Sequence, residues 1–288
     1  MYRAVRCMHR DGFSLASICA ALSISRSAFY SFERASHGKR AKEDLHLGGR
    51  IADIFRTHRR RYGAQRISRQ LRREGETCSR RRAGKLLQIQ GLRAIQPKSF
   101  GLKTTDSSHG LGYNDNLLLQ ASDPTSINQV WLGDITYIPL RGRRFAFLSA
   151  LMDLYSRRIL VWNLKDNMKE ELVLSCLRSA IVSRAPSPGL IHHSDRGGQY
   201  AGGRYRRLLD QWRMVQSMSR ADNCYDNAFM ESCYGTLKRE LEMEIYADLH
   251  EARKEIAAYV RYYNNLRLHS SLNYRTPAEF EASIRSAK

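Results

Sequence analysis

The pattern of apolar residues changes at Gln129, and this change restricts the possible folds more than any other feature of the chain. Residues 129–140 alternate between apolar and polar side chains as a half-buried strand does, and residues 144–155 and 157–164 have the same character. Alternating helical and extended patterns follow: a helix at 168–184, a strand at 189–195, a helix at 202–214, a strand at 215–219, and helices at 228–246 and 250–267.

This order of elements, three strands and then alternating helices and strands, predicts an α/β fold. It is the arrangement of a ribonuclease-H-like core, with a mixed five-stranded sheet and helices. The right-handed crossover through the first helix should return the fourth strand parallel to the first strand and beside it. Ligands of such open sheets gather at strand ends near the point where the strand order switches.

Two aspartates lie on the strands that are predicted to be neighbours. Asp134 is inside the first strand, and Asp195 ends the fourth. Glu231 lies on the helix at 228–246, which should pack across the sheet, and Lys238 follows it on the same face. Taken singly, each has an ordinary alternative: a buried hydrogen-bonded Asp134, a turn at Asp195, and a solvated Glu231 and Lys238. Their combination predicts a carboxylate cluster.

Three carboxylates at one point suit phosphoryl transfer. Mg²⁺ takes oxygen ligands, and two ions roughly 3.5–4 Å apart activate the attacking oxygen and stabilise the leaving one. We expect Asp134 to bridge the two ions, Asp195 to complete one ion site and Glu231 the other. Lys238 is expected to contact a DNA phosphate near the scissile bond.

Other acids and histidines lie close to these positions in the sequence. Asp153 is interpreted as a turn or strand-end residue close to the site, and Asp226, near Asp222, as a helix cap. His192 and His193 are adjacent in a strand and point to opposite faces, so both cannot bind one ion. A structural or DNA-contacting role is expected for each histidine.

The N-terminal part has two patterns of short helices joined by tight turns. Residues 11–35 combine an apolar helical stripe, a turn at 23–25 and a second helix beginning near Arg26. This outline fits a helix-turn-helix or an ordinary helical hairpin equally well. Its second helix would present Arg26 to DNA bases or phosphates.

The second pattern covers residues 62–94. Gly75 ends one helix, Ser79 caps the next, whose apolar face is formed by Leu86, Leu87 and Ile89, and Gly91 stops it. Three arginines occupy the first turn of that helix, where positive charge opposes the helix dipole. Nearby phosphates would explain this placement, although a solvated face is the alternative. The arginines expected to bind DNA here are Arg80, Arg81 and Arg82.

Charge and composition agree with a polyanionic partner. The chain has 48 Lys and Arg against 28 Asp and Glu, a net charge of +20. Residues 1–125 hold 24 basic and 10 acidic residues, so most of the excess lies in the N-terminal part. The six cysteines lack zinc spacing, and no apolar run has membrane-spanning length, so we expect a cytosolic protein with no membrane partner.

The predicted organisation has four parts. These are an N-terminal helix-turn-helix at 1–45, a basic second helix-turn-helix at 46–96, a linker at 97–126, and a catalytic core with a C-terminal helix at 127–288.

The catalytic segments resemble those of OrfB-type insertion-sequence transposases, the family whose type element is insertion sequence three and which is related to retroviral integrases. The segments that carry this resemblance are WLGDITYIPL, LMDLYSRRILVW, HHSDRGGQY and NCYDNAFMESCYGTLKREL. The closing segment YYNNLRLHSSLNYRTPAEF and the helix-turn-helix at 62–94 resemble the same family, which extends the likeness from about Gly12 to Phe280.

The resemblance implies a DDE triad at Asp134, Asp195 and Glu231, with a following basic residue at Lys238. It implies Mg²⁺, with Mn²⁺ as a substitute, and cleavage of transposon ends followed by attack of the freed 3′-OH on another phosphodiester. It also implies double-stranded DNA partners (terminal inverted repeats and target DNA), a homo-oligomer on DNA, and a fusion with the product of an upstream reading frame.

Two other functions stay open at this stage. A ribonuclease-H-like nuclease that only hydrolyses shares the metal site but has no need of two helix-turn-helix modules. A DNA-binding repressor with an inert core needs the modules but not the carboxylates. Strand-joining products separate the first alternative from a transposase, and equal nicking by the wild type and Asp134→Asn would favour the second.

Overall fold

The computed structural model of the chain describes residues 1–96, 112–119, 122–220, 227–242 and 245–286. The chain divides into two compact units, Met1–Ala94 and Ile95–Lys288. The helices of the first unit are α1 (Tyr2–Arg10), α2 (Leu15–Ala21), α3 (Arg26–His37), α4 (Lys39–Thr57), α5 (Ala64–Arg73) and α6 (Arg80–Ile89).

Helices α2 and α3 have the geometry of a helix-turn-helix. They are bent by 112° relative to each other, within the range of that motif. Ser23 turns the chain with a φ of 52°, and the Ser25 hydroxyl accepts a hydrogen bond from the Ala28 N–H at 3.1 Å, which caps α3. A small apolar core holds the helices together, formed by Val5, Leu15, Ile18, Cys19 and Phe29.

Helices α5 and α6 repeat this arrangement. The Ser79 hydroxyl accepts from the Arg82 N–H, as expected for an N-cap, and Gly75 and Gly91 adopt positive φ values of 85° and 67° at the two helix ends. Leu86 and Leu87 are buried, but the expected third member of that face, Ile89, is 64% exposed because it is the last residue of α6. Helix α4 runs without a break across the predicted boundary between residues 45 and 46.

The second unit contains a five-stranded mixed sheet among its described residues, which confirms the predicted fold class. The strand order is β3-β2-β1-β4-β5, with β1 antiparallel to β2 and parallel to β4. The fourth strand therefore lies beside the first, as the crossover rule predicts. The strands are β1 (Val130–Leu140), β2 (Arg144–Asp153), β3 (Ile159–Lys165), β4 (Ile191–Ser194) and β5 (Val215–Met218).

Six helices pack around this sheet in the described part of the unit. They are α7 (Glu170–Arg184), α8 (Gly198–Ala201), α9 (Gly203–Gln211), α10 (Ala228–Glu240), α11 (Leu249–Asn265) and α12 (Pro277–Arg285). Trp131 of β1, Leu151 of β2 and the apolar face of α7 share one core with Tyr200 and Tyr205. The core fixes the side of the sheet that α7 covers.

Helix α10 is shorter than the sequence pattern predicts. The apolar periodicity continues to Tyr246, yet the helix ends at Glu240, and Glu242 has a positive φ of 56°. The chain then returns to the sheet, where Tyr246 forms a parallel bridge with Leu140 and its N–H donates to the Pro139 carbonyl at 3.2 Å. Pairing with the end of β1 thus outweighs the local helical pattern.

Part of the predicted linker belongs to the second unit. Residues 97–111 and 120–121 lie outside the described residues, but Leu117–Leu119 form a short 3₁₀ helix. The Leu117 N–H donates to the Ser217 hydroxyl at 3.0 Å, and the Met218 N–H donates to the Asp115 carbonyl at 3.3 Å. These bonds cover the free edge of β5.

Within the described residues, no single helix is both long and apolar enough to cross a membrane, and α2 with α3 reaches that length only as a bent pair.

Candidate active site

Asp134 lies in the middle of β1, opposite Ala150 of β2. Its Oδ1 accepts a hydrogen bond from the Ile135 N–H at 2.8 Å. The preceding residue is Gly133, and a Cβ there would be tightly packed, 3.0 Å from Leu151 Cδ2 and 3.1 Å from His192 Nε2. The absence of that Cβ lets a buried histidine pack directly beneath the strand that carries Asp134.

Asp195 follows the last residue of β4. Its Oδ1 accepts a hydrogen bond from the Gly197 N–H at 3.0 Å, which fixes the turn after the strand. In the parallel pairing of β1 with β4, Leu132 lies opposite His193. The same register, continued by two residues, places Asp195 level with Asp134, and side chains opposite each other in neighbouring strands point to the same face. The topology therefore brings the two aspartates together.

Glu231 and Lys238 lie on α10, which crosses the sheet over β1. Tyr234, three residues after Glu231, donates its hydroxyl to the backbone carbonyl of Asp134 at 2.7 Å. Residues three and seven positions after Glu231 share its face of the helix, so this bond holds that face over Asp134. Glu231 is the most exposed of the three acids, whereas Asp134 and Asp195 are half-buried.

The electrostatics of Asp134 reflect this crowding. Burial raises the pKa of Asp134 well above its ordinary value, and the charges of Asp195 and Glu231 raise it further, while the Ile135 N–H and Lys238 lower it. Burial also raises the pKa of Glu231 and lowers that of Lys238. Accumulated negative charge of this kind is relieved when a cation binds.

The donor set fits Mg²⁺ in its chemistry, since all the candidate ligands are carboxylate oxygens. Among the described residues, however, no group of three or more His, Cys, Asp or Glu side chains is close enough to hold a metal ion as it stands. The three acids therefore affect one another electrostatically, but their side chains are not arranged as a complete metal-binding site.

The neighbouring histidines have structural contacts. His192 Nε2 hydrogen bonds to the Tyr205 hydroxyl at 2.9 Å, and burial lowers the pKa of His192 to about 3. His193 is held by the hydroxyls of Ser217 at 2.8 Å and Ser219 at 3.2 Å. Both side chains are fully buried. Of the two roles expected for them, the structural one fits these contacts.

Asp153 also has a structural place. Its Oδ1 accepts from the backbone N–H and hydroxyl of Ser156, and its Oδ2 accepts from the Asn128 N–H at 2.7 Å. These bonds close the turn after β2, which confirms its interpretation as a strand-end residue. Asp222 and Asp226 lie outside the described residues.

Comparison with known proteins identifies the family. The chain matches two families described as "Integrase core domain", over residues 124–224 and 212–277, and one described as "HTH-like domain" over residues 41–100. It is 40% identical to the transposase for insertion sequence element IS904 of Lactococcus lactis over 82% of this chain and 93% of the relative. It is 31% identical to transposase InsF for insertion sequence IS3A of Escherichia coli over 95% of this chain and 96% of the relative.

The chain belongs to the IS3 family of transposases. It is a DNA transposase with an integrase-type core, and this family carries out polynucleotidyl transfer with a divalent metal. Among solved structures, it is similar to a chain of the simian T-cell lymphotropic virus intasome bound to the PP2A regulatory subunit B56 gamma. The TM-score is 0.48 at 14% identity, covering 80% of this chain and 74% of that one.

The arginines expected to contact DNA have different surroundings in this transposase. Arg26, at the start of α3, is exposed, as are Arg80 and Arg81 at the start of α6. Arg82 instead donates to Asp44 at 2.6 Å and to Glu43 at 3.3 Å, so acids of α4 already neutralise its charge. The DNA-binding role of all four stays a prediction.

Sequence reasoning missed two residues that support the site. Gly133 has a signal in the sequence, since a glycine inside a strand indicates a close approach by another group. Tyr234 has none beyond its spacing from Glu231, because an aromatic residue on a helix face is ordinarily part of the core.

Proposed function

We propose that Asp134, Asp195 and Glu231 form the catalytic DDE triad of this transposase and bind two Mg²⁺ ions, with Mn²⁺ as a substitute. The observation that supports the proposal is the parallel register of β1 and β4, with Leu132 opposite His193, because the same register continued by two residues would set Asp195 level with Asp134. The bond from the Tyr234 hydroxyl to the Asp134 carbonyl supports the inclusion of Glu231, which lies on the same face of α10. The pKa of Asp134 responds to both other acids, as expected for a shared site.

Each residue then has a role. Asp134, Asp195 and Glu231 would hold the ions through their carboxylate oxygens. When bound, the ions would activate the attacking oxygen and stabilise the leaving oxygen. Lys238, on the Glu231 face of α10, contacts the DNA phosphate next to the scissile bond.

The reaction follows from the family and the site. Water first attacks a phosphodiester at the transposon end and releases the 3′-OH of that end. This 3′-OH then attacks a phosphodiester of another strand, so that a new phosphodiester forms and the 3′-oxygen of the attacked strand leaves as a hydroxyl. The DNA substrates are the terminal inverted repeats and the target, bound by a homo-oligomer and, in part, by the HTH-like region with Arg26, Arg80, Arg81 and Arg82. The product of an upstream reading frame is a further partner.

Cleavage of a duplex carrying the element's own terminal repeat tests the triad. We expect Mg²⁺-dependent nicking and strand joining by the wild type, and binding without cleavage by Glu231→Gln. Glu242→Gln is the matched control, because it makes the same change at an exposed glutamate just beyond α10. Normal cleavage by Glu231→Gln would exclude Glu231 from the triad, and nicking without joining would favour the simple nuclease.

A further inference from the structure

A cavity of about 210 Å³ lies on the side of α10 that faces away from Glu231. Ser232, Cys233 and Thr236 of that helix line it, and they are displaced by roughly 100–200° around the helix axis from Glu231 at 3.6 residues per turn. The remaining described lining residues are Met152, Arg157, Phe229, Tyr263, Arg267, His269 and Ser271. The cavity is smaller than the ~300–1,000 Å³ pockets that take drug-sized ligands, so its occupant is a small group.

The lining has the chemistry of an anion site. It offers two guanidinium groups, three aliphatic hydroxyls from Ser232, Thr236 and Ser271, and an imidazole, and none of the described lining residues is acidic. Arg267 is already neutralised, because it donates to both carboxylate oxygens of Glu240 at 2.9–3.1 Å. Arg157, by contrast, forms no direct ion pair with a described carboxylate, and only the more distant charges of Asp123 and Asp153 act on it.

The Nη1 atom of Arg157 is buried and has no hydrogen-bond partner among the described residues. A buried charged donor without an acceptor raises the free energy of the folded protein. Burial lowers the pKa of Arg157, although Tyr263, Asp123 and Asp153 act in the opposite direction. Of these acids, Asp153 already accepts three hydrogen bonds from other groups. An anion that binds in the cavity would compensate this charge.

Phe229 indicates which anion. Its ring lies 4.0 Å from the guanidinium carbon of Arg157 and is 47% exposed at the helix surface. A guanidinium in contact with an aromatic ring loses part of its freedom of movement, and its planar donor fork matches the oxygens of a phosphate. The hydroxyls of Ser232 and Thr236 on the same wall can donate to the remaining phosphate oxygens.

We propose that this pocket, walled by Arg157, Ser232 and Thr236, binds a backbone phosphate of the DNA on which the transposase acts. The proposal deepens the function proposed above and rests on it only for the identity of the polymer. Helix α10 would then contact DNA on two faces: Glu231 and Lys238 near the scissile phosphate, and the pocket at a second phosphate of the substrate.

The salt dependence of DNA binding tests this assignment, since each phosphate contact contributes about 0.9 to the slope of log K against log salt. Fluorescence anisotropy with a labelled duplex of arbitrary sequence, in EDTA to prevent cleavage, gives that slope. We expect Arg157→Gln to lower the slope by about 0.9 and to weaken binding about tenfold at moderate salt. Arg178→Gln, which removes an exposed arginine paired with Glu171 on α7, should leave both values unchanged.

An unchanged slope for Arg157→Gln, or an equal fall for both variants, overturns the proposal. So does an unchanged slope with an altered oligomeric state, which would assign the pocket to a carboxylate of a second copy. If Arg157→Gln does not fold, Thr236→Val serves as a second variant, because it removes a hydroxyl of the pocket at nearly constant volume. An unaltered affinity of Thr236→Val for the DNA duplex would then refute the proposal that the pocket binds a phosphate. None of these outcomes bears on Glu231, whose test is cleavage.

Discussion

Arg267 and Glu240 form a buried ion pair whose disruption should destabilise the catalytic unit strongly. The two side chains are 4% and 2% exposed and share three hydrogen bonds of 2.9–3.1 Å. Arg267→Met leaves the Glu240 carboxylate buried and without its cationic partner, while the Tyr259 hydroxyl still donates to it at 3.2 Å. Removal of one partner from a buried pair costs about 3–5 kcal/mol, because the other charge stays desolvated.

This cost translates into a measurable shift. The second unit spans Ile95–Lys288, and in a unit of this size each kcal/mol lowers the Tm by roughly 2–4 °C. We therefore expect Arg267→Met to lower the Tm of the catalytic unit by about 6–20 °C and to reduce the free energy of unfolding in urea by about 3–5 kcal/mol. Circular dichroism follows both transitions, with the transition of the N-terminal unit as an internal reference.

A double-mutant cycle makes the reasoning refutable. The double variant Glu240→Leu with Arg267→Met replaces the pair by apolar groups, and such replacements are often neutral or stabilising. Its stability should therefore exceed that of Arg267→Met alone. A loss below about 1 kcal/mol for Arg267→Met would mean that water reaches Glu240, and the buried-charge argument would fail.

Three further predictions concern the sheet beneath the site. Gly133→Ala should destabilise the catalytic unit by about 1–3 kcal/mol in urea unfolding, because its Cβ would overlap Leu151 and His192; a neutral effect would show that these neighbours yield. His192 has a pKa of about 3 in the folded protein against 6.5 in the unfolded chain, because burial disfavours its charged form. Its contribution to stability is therefore complete above pH 6.5 and falls by about 3 kcal/mol by pH 4.5. His192→Phe should remove this part of the pH dependence of the free energy of unfolding, and an unaltered pH profile would contradict the prediction. In the proposed site, the raised pKa of Asp134 makes protons compete with the divalent cation, so the half-saturating Mg²⁺ concentration for cleavage should fall as the pH rises, and a constant value would refute the competition.

The sequence predicts the site best where local pattern and topology agree. Asp134 and Asp195 are 61 positions apart in the chain, yet the handedness of the crossover is enough to make their strands neighbours. The register that sets them level, Leu132 opposite His193, depends on side-chain packing between strands and cannot be taken from the pattern alone. The prediction of neighbouring strands was therefore possible, and the exact alignment was not.

The end of α10 shows what local pattern cannot give. The apolar periodicity runs to Tyr246, but Glu240 pairs with Arg267, which is 27 residues later in the chain. Tyr246 pairs with Leu140 of β1, more than a hundred residues earlier. Contacts of such separation have no counterpart in a window of neighbouring residues. The ion pair of Arg82 with Asp44 in the N-terminal unit was missed for the same reason.

Helix α10 links the buried ion pair of Glu240 and Arg267 to the proposed active site. Its first turn carries Glu231, Tyr234 fixes its middle to β1, and Glu240 anchors its end through Arg267. Because the anchor lies nine positions from Glu231, loosening the helix end should lower cleavage even at temperatures where the unit stays folded. Arg267→Met should thus reduce the rate of cleavage with little change in the salt slope of DNA binding, whereas loss of the phosphate contact at Arg157 changes the slope. Measuring both quantities on both variants separates a misplaced helix from a missing contact, and identical profiles for the two would show that the pocket acts only through the position of α10.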